Sequence, residues 1–231
     1  MRESDYRLLQ GFPIFRTLQD SDFVALADRG EMIECGPQRI LAREGEVPKF
    51  LYVLTEGLFE LVSGHGGGQT IVSIIRPPTA FILAAVVLRQ PYLVSARALV
   101  PSRVFSLPLE EFHHAMEMNP ALALSACREV ATRYRDMVKE LKNMKVRNAG
   151  QRLANWILTE ADVLGQSSFE LRIQKTVLAS RLGMTNAHLS RGFATLRHHG
   201  VALQGRKIEI IDRVALQTYA HPDPLIDDLS S

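Results

Sequence analysis

Between Lys175 and His199 the apolar positions fall at helical spacing on either side of a glycine. Leu178, Ala179 and Leu182 form one apolar face, Gly183 follows where the backbone must turn, and Leu189, Phe193 and Leu196 recur at i, i+4 and i+7. The pattern predicts a first helix that stops at Gly183 and a second that starts at Thr185, whose hydroxyl can cap it. The face opposite the second apolar stripe carries Asn186, Ala187, Ser190, Arg191 and Ala194. These short or hydrogen-bonding side chains suit base edges in a major groove about 12 Å wide. Two helices around a tight turn, one with such a face, predict a DNA-reading helix-turn-helix. The plain alternative is a helix pair with a solvated basic face.

The rest of the chain divides by texture. Residues 1–31 read as helical, with Leu8 and Leu9 before the loop GFPIF, and Asp20 or Ser21 capping a short helix of Phe23, Leu26 and Ala27. Residues 32–108 read as short β-rich runs: MIEC, RILA, FLYVL, GLFELV, QTIVSII, FILAAVVL, YLVSARALV and SRVFSLP. Glycine- and proline-bearing separators space them as in an antiparallel barrel or sandwich. The GHGGG at 64–68 lacks the GxxxxGK[ST] pattern and a following helix, so it reads as a hairpin tip and not a nucleotide loop.

A helical pattern begins at Leu109, with Glu110 and Glu111 in a first turn that favours negative charge. After Asn119-Pro120, Cys127, Val130, Tyr134, Met137, Leu141 and Met144 recur at alternating intervals of 3 and 4, with charged residues between them. This is a coiled-coil seam, and Val130, Tyr134, Met137, Leu141 and Met144 are assigned to pairing with an identical helix. The competing reading is one amphipathic helix lying on its own barrel. Asn148 can cap a further helix bearing Leu153, Trp156, Ile157 and Leu158, which residues 165–168 close. VALQGRKIEIID then reads as two strands of a basic-tipped wing around Gln204-Gly205, and HPDPLIDDLSS as a loose tail.

Charge sharpens the division. The net charge is +2, yet residues 1–119 hold 11 Lys/Arg against 14 Asp/Glu, and residues 120–147 hold 7 against 3. From Arg172 through Lys207 there are seven positive charges and no acid, a stripe suited to a phosphate backbone. Lys175, Arg197 and Arg206 join Thr185, Asn186, Ala187, Ser190 and Arg191 as the candidate DNA-binding set. Cys35 and Cys127 stand far apart without metal spacing and read as buried free thiols, so no metal site is assigned. The sequence shows no HExxH or GxSxG, and the adjacent pairs His113-His114 and His198-His199 point about 100° apart on a helix. An enzyme is therefore not expected, and a sensory module that binds no DNA would not need the acid-free stripe. The first ten residues carry no signal-peptide core and no apolar run approaches about 18 residues, which predicts a cytoplasmic protein without a membrane partner.

A β-roll, a long dimer-type helix, a capped joint and a winged helix-turn-helix in that order resemble the CRP/FNR family of transcription regulators. EGE at 44–46, TEGLFEL at 55–61 and LGMTNAHLSR at 182–191 carry the likeness most specifically. The resemblance implies an α+β fold: an antiparallel β-roll effector domain (1–119), a dimerisation helix (120–147) and a winged helix-turn-helix (148–231). It implies a homodimer on an inverted-repeat operator, with RNA polymerase as a further partner. Two cysteines cannot hold the FNR iron–sulfur cluster. Leu83-Ala84 and Val94-Ser95-Ala96 stand where cyclic-nucleotide members keep Gly-Glu and Arg-Ser-Ala, so both charged anchors are missing. Residues 89–108 are similar to the nitric-oxide-responsive DNR/NnrR branch. That likeness implies an apolar effector pocket of Phe81, Ile82, Leu83, Val86, Val87 and Tyr92, with haem as cofactor and His65, His113, His114 or Cys127 as candidate iron ligands. The alternative is that these residues fill the roll. On the recognition helix Ala187 replaces the Glu of Glu-x-x-Ser-Arg, while Ser190 and Arg191 remain, and Gly192 costs a helix interior about 1 kcal/mol relative to Ala.

Overall fold

The computed structural model describes residues 1–65 and 68–227, the side chain of His65 excepted. The tip of the glycine-rich hairpin and residues 228–231 lie outside the described residues, as does the side chain of His65 as a candidate iron ligand. The chain forms two compact units, the first ending at Arg133 and the second beginning at Tyr134.

The first unit opens with α1 (Glu3–Gln10) and α2 (Asp20–Ala27). Gln19, not Asp20 or Ser21, occupies the cap of α2, because Asp20 is already helical and its carboxylate accepts from Gln10 Nε2 at 2.7 Å. There follow β1 (Glu31–Cys35), β2 (Ile40–Ala42), β3 (Phe50–Glu56), β4 (Phe59–His65), β5 (Gly68–Ile75) and β6 (Thr79–Phe81). Then come α3 (Leu83–Leu88), β7 (Ser95–Ala98), β8 (Ser102–Pro108), α4 (Leu109–Met118) and α5 (Pro120–Val146), whose residues from Tyr134 on belong to the second unit. Two four-stranded antiparallel sheets, ordered β1-β8-β3-β6 and β2-β7-β4-β5, make the roll.

The period-2 rule explains the strands and why the roll has two cores. Tyr52 and Leu54 of β3 point between the sheets with Phe59, Phe81, Ala96 and Val104, while Leu51 and Val53 meet the helices with Phe15, Phe105, Phe112 and Leu122. Arg103 of β8 pins the N-terminal helix to this scaffold, its guanidinium reaching Asp5 (3.0 Å), Glu34 (3.1 Å) and Glu56 (3.0 Å). Hydrogen bonds donated to Glu56 and Asp5 raise the Arg103 pKa above its ordinary value.

FILAAVVL is not a β run. β6 ends at Phe81, Ile82 takes a left-handed φ of +56°, and α3 occupies Leu83–Leu88. A short continuous apolar run has no period that separates strand from buried helix, and left-handed Ile82 breaks the extended chain.

In the second unit, α6 (Ala149–Leu164) starts at Asn148, whose side chain accepts from the Gln151 amide at 2.9 Å while Gln151 Oε1 accepts from the Asn148 amide at 3.1 Å. It closes on left-handed Gly165. β9 (Ser168–Glu170), α7 (Lys175–Arg181), α8 (Asn186–Leu196), β10 (Val201–Gln204), β11 (Lys207–Ile210), α9 (Arg213–Ala220) and α10 (Pro224–Asp227) complete it. The wing gains a third strand that the sequence did not announce, in the order β10-β11-β9. The tail is not loose up to Asp227, because α10 is anchored by ion pairs to Lys142 and Arg147.

Candidate nucleic-acid interface

Buried Leu178, Ala179 and Leu182 hold α7 against its neighbours, and buried Leu189, Phe193 and Leu196 do the same for α8. Between them α7 ends at Arg181, two residues before the expected stop. The chain then passes through Gly183 at φ +61°, where an added Cβ would lie 2.3 Å from Met144 Cε. Thr185 caps α8 as the sequence predicts, its Oγ1 accepting from the His188 amide at 3.2 Å. Capping removes an orphan N–H and fixes where the first turn of α8 begins.

The side chains opposite the buried stripe, Asn186, Ala187, Ser190, Arg191 and Ala194, are all exposed. Lys175 and Arg197 are exposed at the helix ends. Arg206 is solvent-exposed as a residue, but its guanidinium is committed: Nε donates to the Leu171 carbonyl at 3.0 Å, and Nη2 donates to Leu171 and Ile173 carbonyls. That bond set fixes the wing tip to the segment between β9 and α7 and leaves Arg206 a support as well as a charge. Gly192 now has a physical reason. A Cβ there would sit 3.0 Å from Leu153 Cδ2, so glycine lets α8 lie close on α6.

Sequence reasoning missed Arg152. This buried arginine lies on α6, and its guanidinium donates to the carbonyls of Arg147 (2.7 Å), Leu182 (2.9 Å) and Gly183 (3.4 Å). Its partners are backbone carbonyls just past the ends of α5 and α7, where the helical ladder supplies no donor. Burial lowers its pKa from the usual value. An arginine placed directly before the apolar run that begins at Leu153 was the available signal.

The assigned seam divides. Tyr134, Met137 and Leu141 are 68%, 68% and 58% exposed, an apolar row at i, i+3 and i+7 on α5. Val130 is half-buried against the helical core of the first unit, and Met144 has its methyl against Gly183. Cys127 is exposed, contrary to expectation, whereas Cys35 is buried.

The assigned effector residues also separate. Phe81, Ile82 and Tyr92 belong to the core between the sheets, and Leu83, Val86 and Val87 to the helical core. The interior is filled: the Phe81 ring lies 5.7 Å from Tyr52 and 5.3 Å from Phe59, centroid to centroid. His113 Nε2 donates to the Val86 carbonyl at 2.9 Å. These residues do not fit a haem, which needs a cleared apolar slot and a ligand atom aimed into it. Nor do they fit a cyclic phosphate. Ser95 Oγ already accepts from the Glu44 amide at 3.0 Å, and Arg97 is paired at 2.6 Å with Glu60, which is 2% exposed. Among the described residues no group of three or more His, Cys, Asp or Glu could hold a metal ion, and no helix is long and apolar enough to cross a membrane.

Comparison with known proteins accords with this geometry. The cyclic nucleotide-binding domain family matches residues 32–119, and the Crp-like helix-turn-helix domain family matches residues 151–219. The transcriptional activator protein anr of Pseudomonas aeruginosa is 21% identical over 211 residues, 88% of this chain and 86% of the relative. A solved structure from Silicibacter pomeroyi, provisionally described as a cAMP-binding regulatory protein, is 26% identical at a TM-score of 0.62, covering 96% of this chain and all of that one. DNR from Pseudomonas aeruginosa shares the fold at a TM-score of 0.52 and 24% identity, with 95% and 99% of the two chains covered. With both domain families matched in this order and the helix-turn-helix in place, the chain is a member of the CRP/FNR family of transcription regulators.

Proposed function

We propose that this regulator works as a homodimer that reads an inverted repeat through α8, with RNA polymerase as its further partner. The observation that carries the reading is the two-sided character of α8. One stripe is buried, and the other presents Asn186, Ser190 and Arg191 beside two small alanines within a stretch free of acids. Arg191 has the reach for a bidentate bond to guanine O6 and N7, whereas Ala187 can accept nothing from cytosine N4. Lys175, Arg197 and the wing supply phosphate contacts that set register without reading sequence. Thr185 supports the site by holding the start of α8.

The exposed row Tyr134, Met137 and Leu141 supports pairing along α5, which leaves α8 of each protomer free for successive major grooves about 34 Å apart. We assign effector control to the 1–119 roll, with 120–147 as the dimerisation helix and 148–231 as the DNA-binding domain. Nitric oxide sensing through haem draws no support from the filled cores, and haemin titration without a Soret shift would agree with that fit.

The test of the reading is selection of duplexes from random DNA with purified protein. Recovery of an inverted repeat, bound by a dimer with affinity falling steeply as salt rises, is the expected result. Equal retention of every sequence, or no retention at low salt, would refute it.

A further inference from the structure

The segment after α9, Asp223–Asp227, closes on the joint between α5 and α6. Arg147 at that joint has a side chain only 5% exposed, and Asp227 receives its guanidinium on both carboxylate oxygens, Nη1 at 2.8 Å from one of them. The same Nη1 donates to Asn143 Oδ1 at 3.1 Å. α10 is itself braced, since Asp223 takes the Leu225 amide at 2.9 Å and faces Lys142 Nζ at 3.4 Å, and its own amide donates to Asp227 at 2.7 Å.

The pair does not end at the joint. The backbone carbonyl of Arg147 accepts from Arg152, and the same Arg152 guanidinium donates to Leu182 and Gly183 in the turn before the recognition helix. A planar guanidinium held on two edges transmits position better than a point charge does. A desolvated pair also loses more than an exposed one when either partner goes. We infer that Asp227 is a positioning residue for DNA reading: through Arg147 and Arg152 it holds the helix-turn-helix turn in its binding geometry. The inference rests on the DNA-reading function proposed above and extends it to a segment outside the 151–219 match.

The experiment compares the full-length protein with Asp227→Asn, Asp227→Glu and, as a control, Asp162→Asn, whose bond to Arg213 is exposed. Backbone hydrogen exchange is followed at Gly183 and Met184, whose amides donate to Ser180 and Ala179 carbonyls. In parallel, affinity is measured for the inverted-repeat duplex obtained by selection. Asp227→Asn is expected to speed exchange at both amides about tenfold and weaken duplex binding at least fivefold. Asp227→Glu should restore much of both, and the control should change neither. Unchanged exchange at Gly183 and Met184 would overturn the inference, as would faster exchange with duplex affinity within twofold of the parent. If exchange responds but the parent itself selects no duplex, the polar chain stands and the DNA-reading function falls, which takes the positioning role with it.

Discussion

Replacing Arg152 by Met is the sharpest test of how the second unit is held together. The substitution keeps an unbranched apolar stem of similar length and deletes only the guanidinium. Two good hydrogen bonds are lost, to Arg147 O at 2.7 Å and Leu182 O at 2.9 Å, and the contact to Gly183 O at 3.4 Å adds little. At about 1.5–3 kcal/mol per bond from a charged donor, the gross loss is about 3–6 kcal/mol. Against it stands the relief of a desolvated charge, the same burial that lowers the pKa of this arginine. A net cost of about 3 kcal/mol follows, a large share of the roughly 5–15 kcal/mol that stabilises a domain. The assay is built into the fold. Trp156 is the one tryptophan of the chain and lies one turn along α6, so its fluorescence reports unfolding of this unit. With an m-value of about 1.5 kcal/mol/M, the urea midpoint should fall by about 2 M at unchanged m. Arg152→Lys should recover less than half, because an ammonium cannot span three carbonyls as a planar fork does. A midpoint within about 0.3 M of the parent for Arg152→Met would refute the account.

Four further outcomes are expected. Arg191→Ala should cost about 1–3 kcal/mol in binding and relax preference at one base pair of the half-site, measured by competition among operator variants; undiminished discrimination would show that Arg191 reads nothing. Leu141→Asp should give monomers by analytical ultracentrifugation with poor operator binding, since it places a carboxylate in an apolar row, and a persistent dimer would move the interface elsewhere. Isothermal calorimetry with cyclic AMP should detect no micromolar binding, because Ser95 and Arg97 are already committed and Val94 offers no charge; a micromolar Kd would reverse the assignment. Gly192→Ala should leave the Trp156-monitored stability within about 0.5 kcal/mol of the parent, the helix gain of about 1 kcal/mol being offset by displacement of Leu153, and a full gain would mean that α6 and α8 have room to spare.

Most of the fold could be read from residues whose chemistry acts locally. Asn148 and Thr185 cap the helices they were expected to cap, and the helical spacing of Leu189, Phe193 and Leu196 names the buried side of α8. Alternation along β3 could not be read, because both of its faces are buried and the run looks uniformly apolar. FILAAVVL misled for a related reason, its fate being decided by the backbone at Ile82 and not by periodicity. The candidate effector set was chosen by hydropathy, which marks core and pocket alike, and its members went to two cores. The roles of Arg147, Arg152 and Asp227 could not be read because each gains its meaning from a partner distant in sequence or from a backbone carbonyl, which no spacing rule encodes.

The unequal burial of the two thiols gives the protein a built-in clock. Cys127 is exposed on α5, whereas burial raises the pKa of Cys35 in β1 and shuts out reagents. A maleimide at mild pH will therefore modify Cys127, which lies outside the exposed Tyr134–Leu141 row, before Cys35, which it reaches only when the roll opens. The lag between first and second adduct, followed by intact mass spectrometry, measures the opening free energy of the roll in the unaltered sequence. Any compound that seats itself in that roll must lengthen the lag, so the same two adducts furnish a screen for the missing signal that asks nothing about its colour, charge or chemical class.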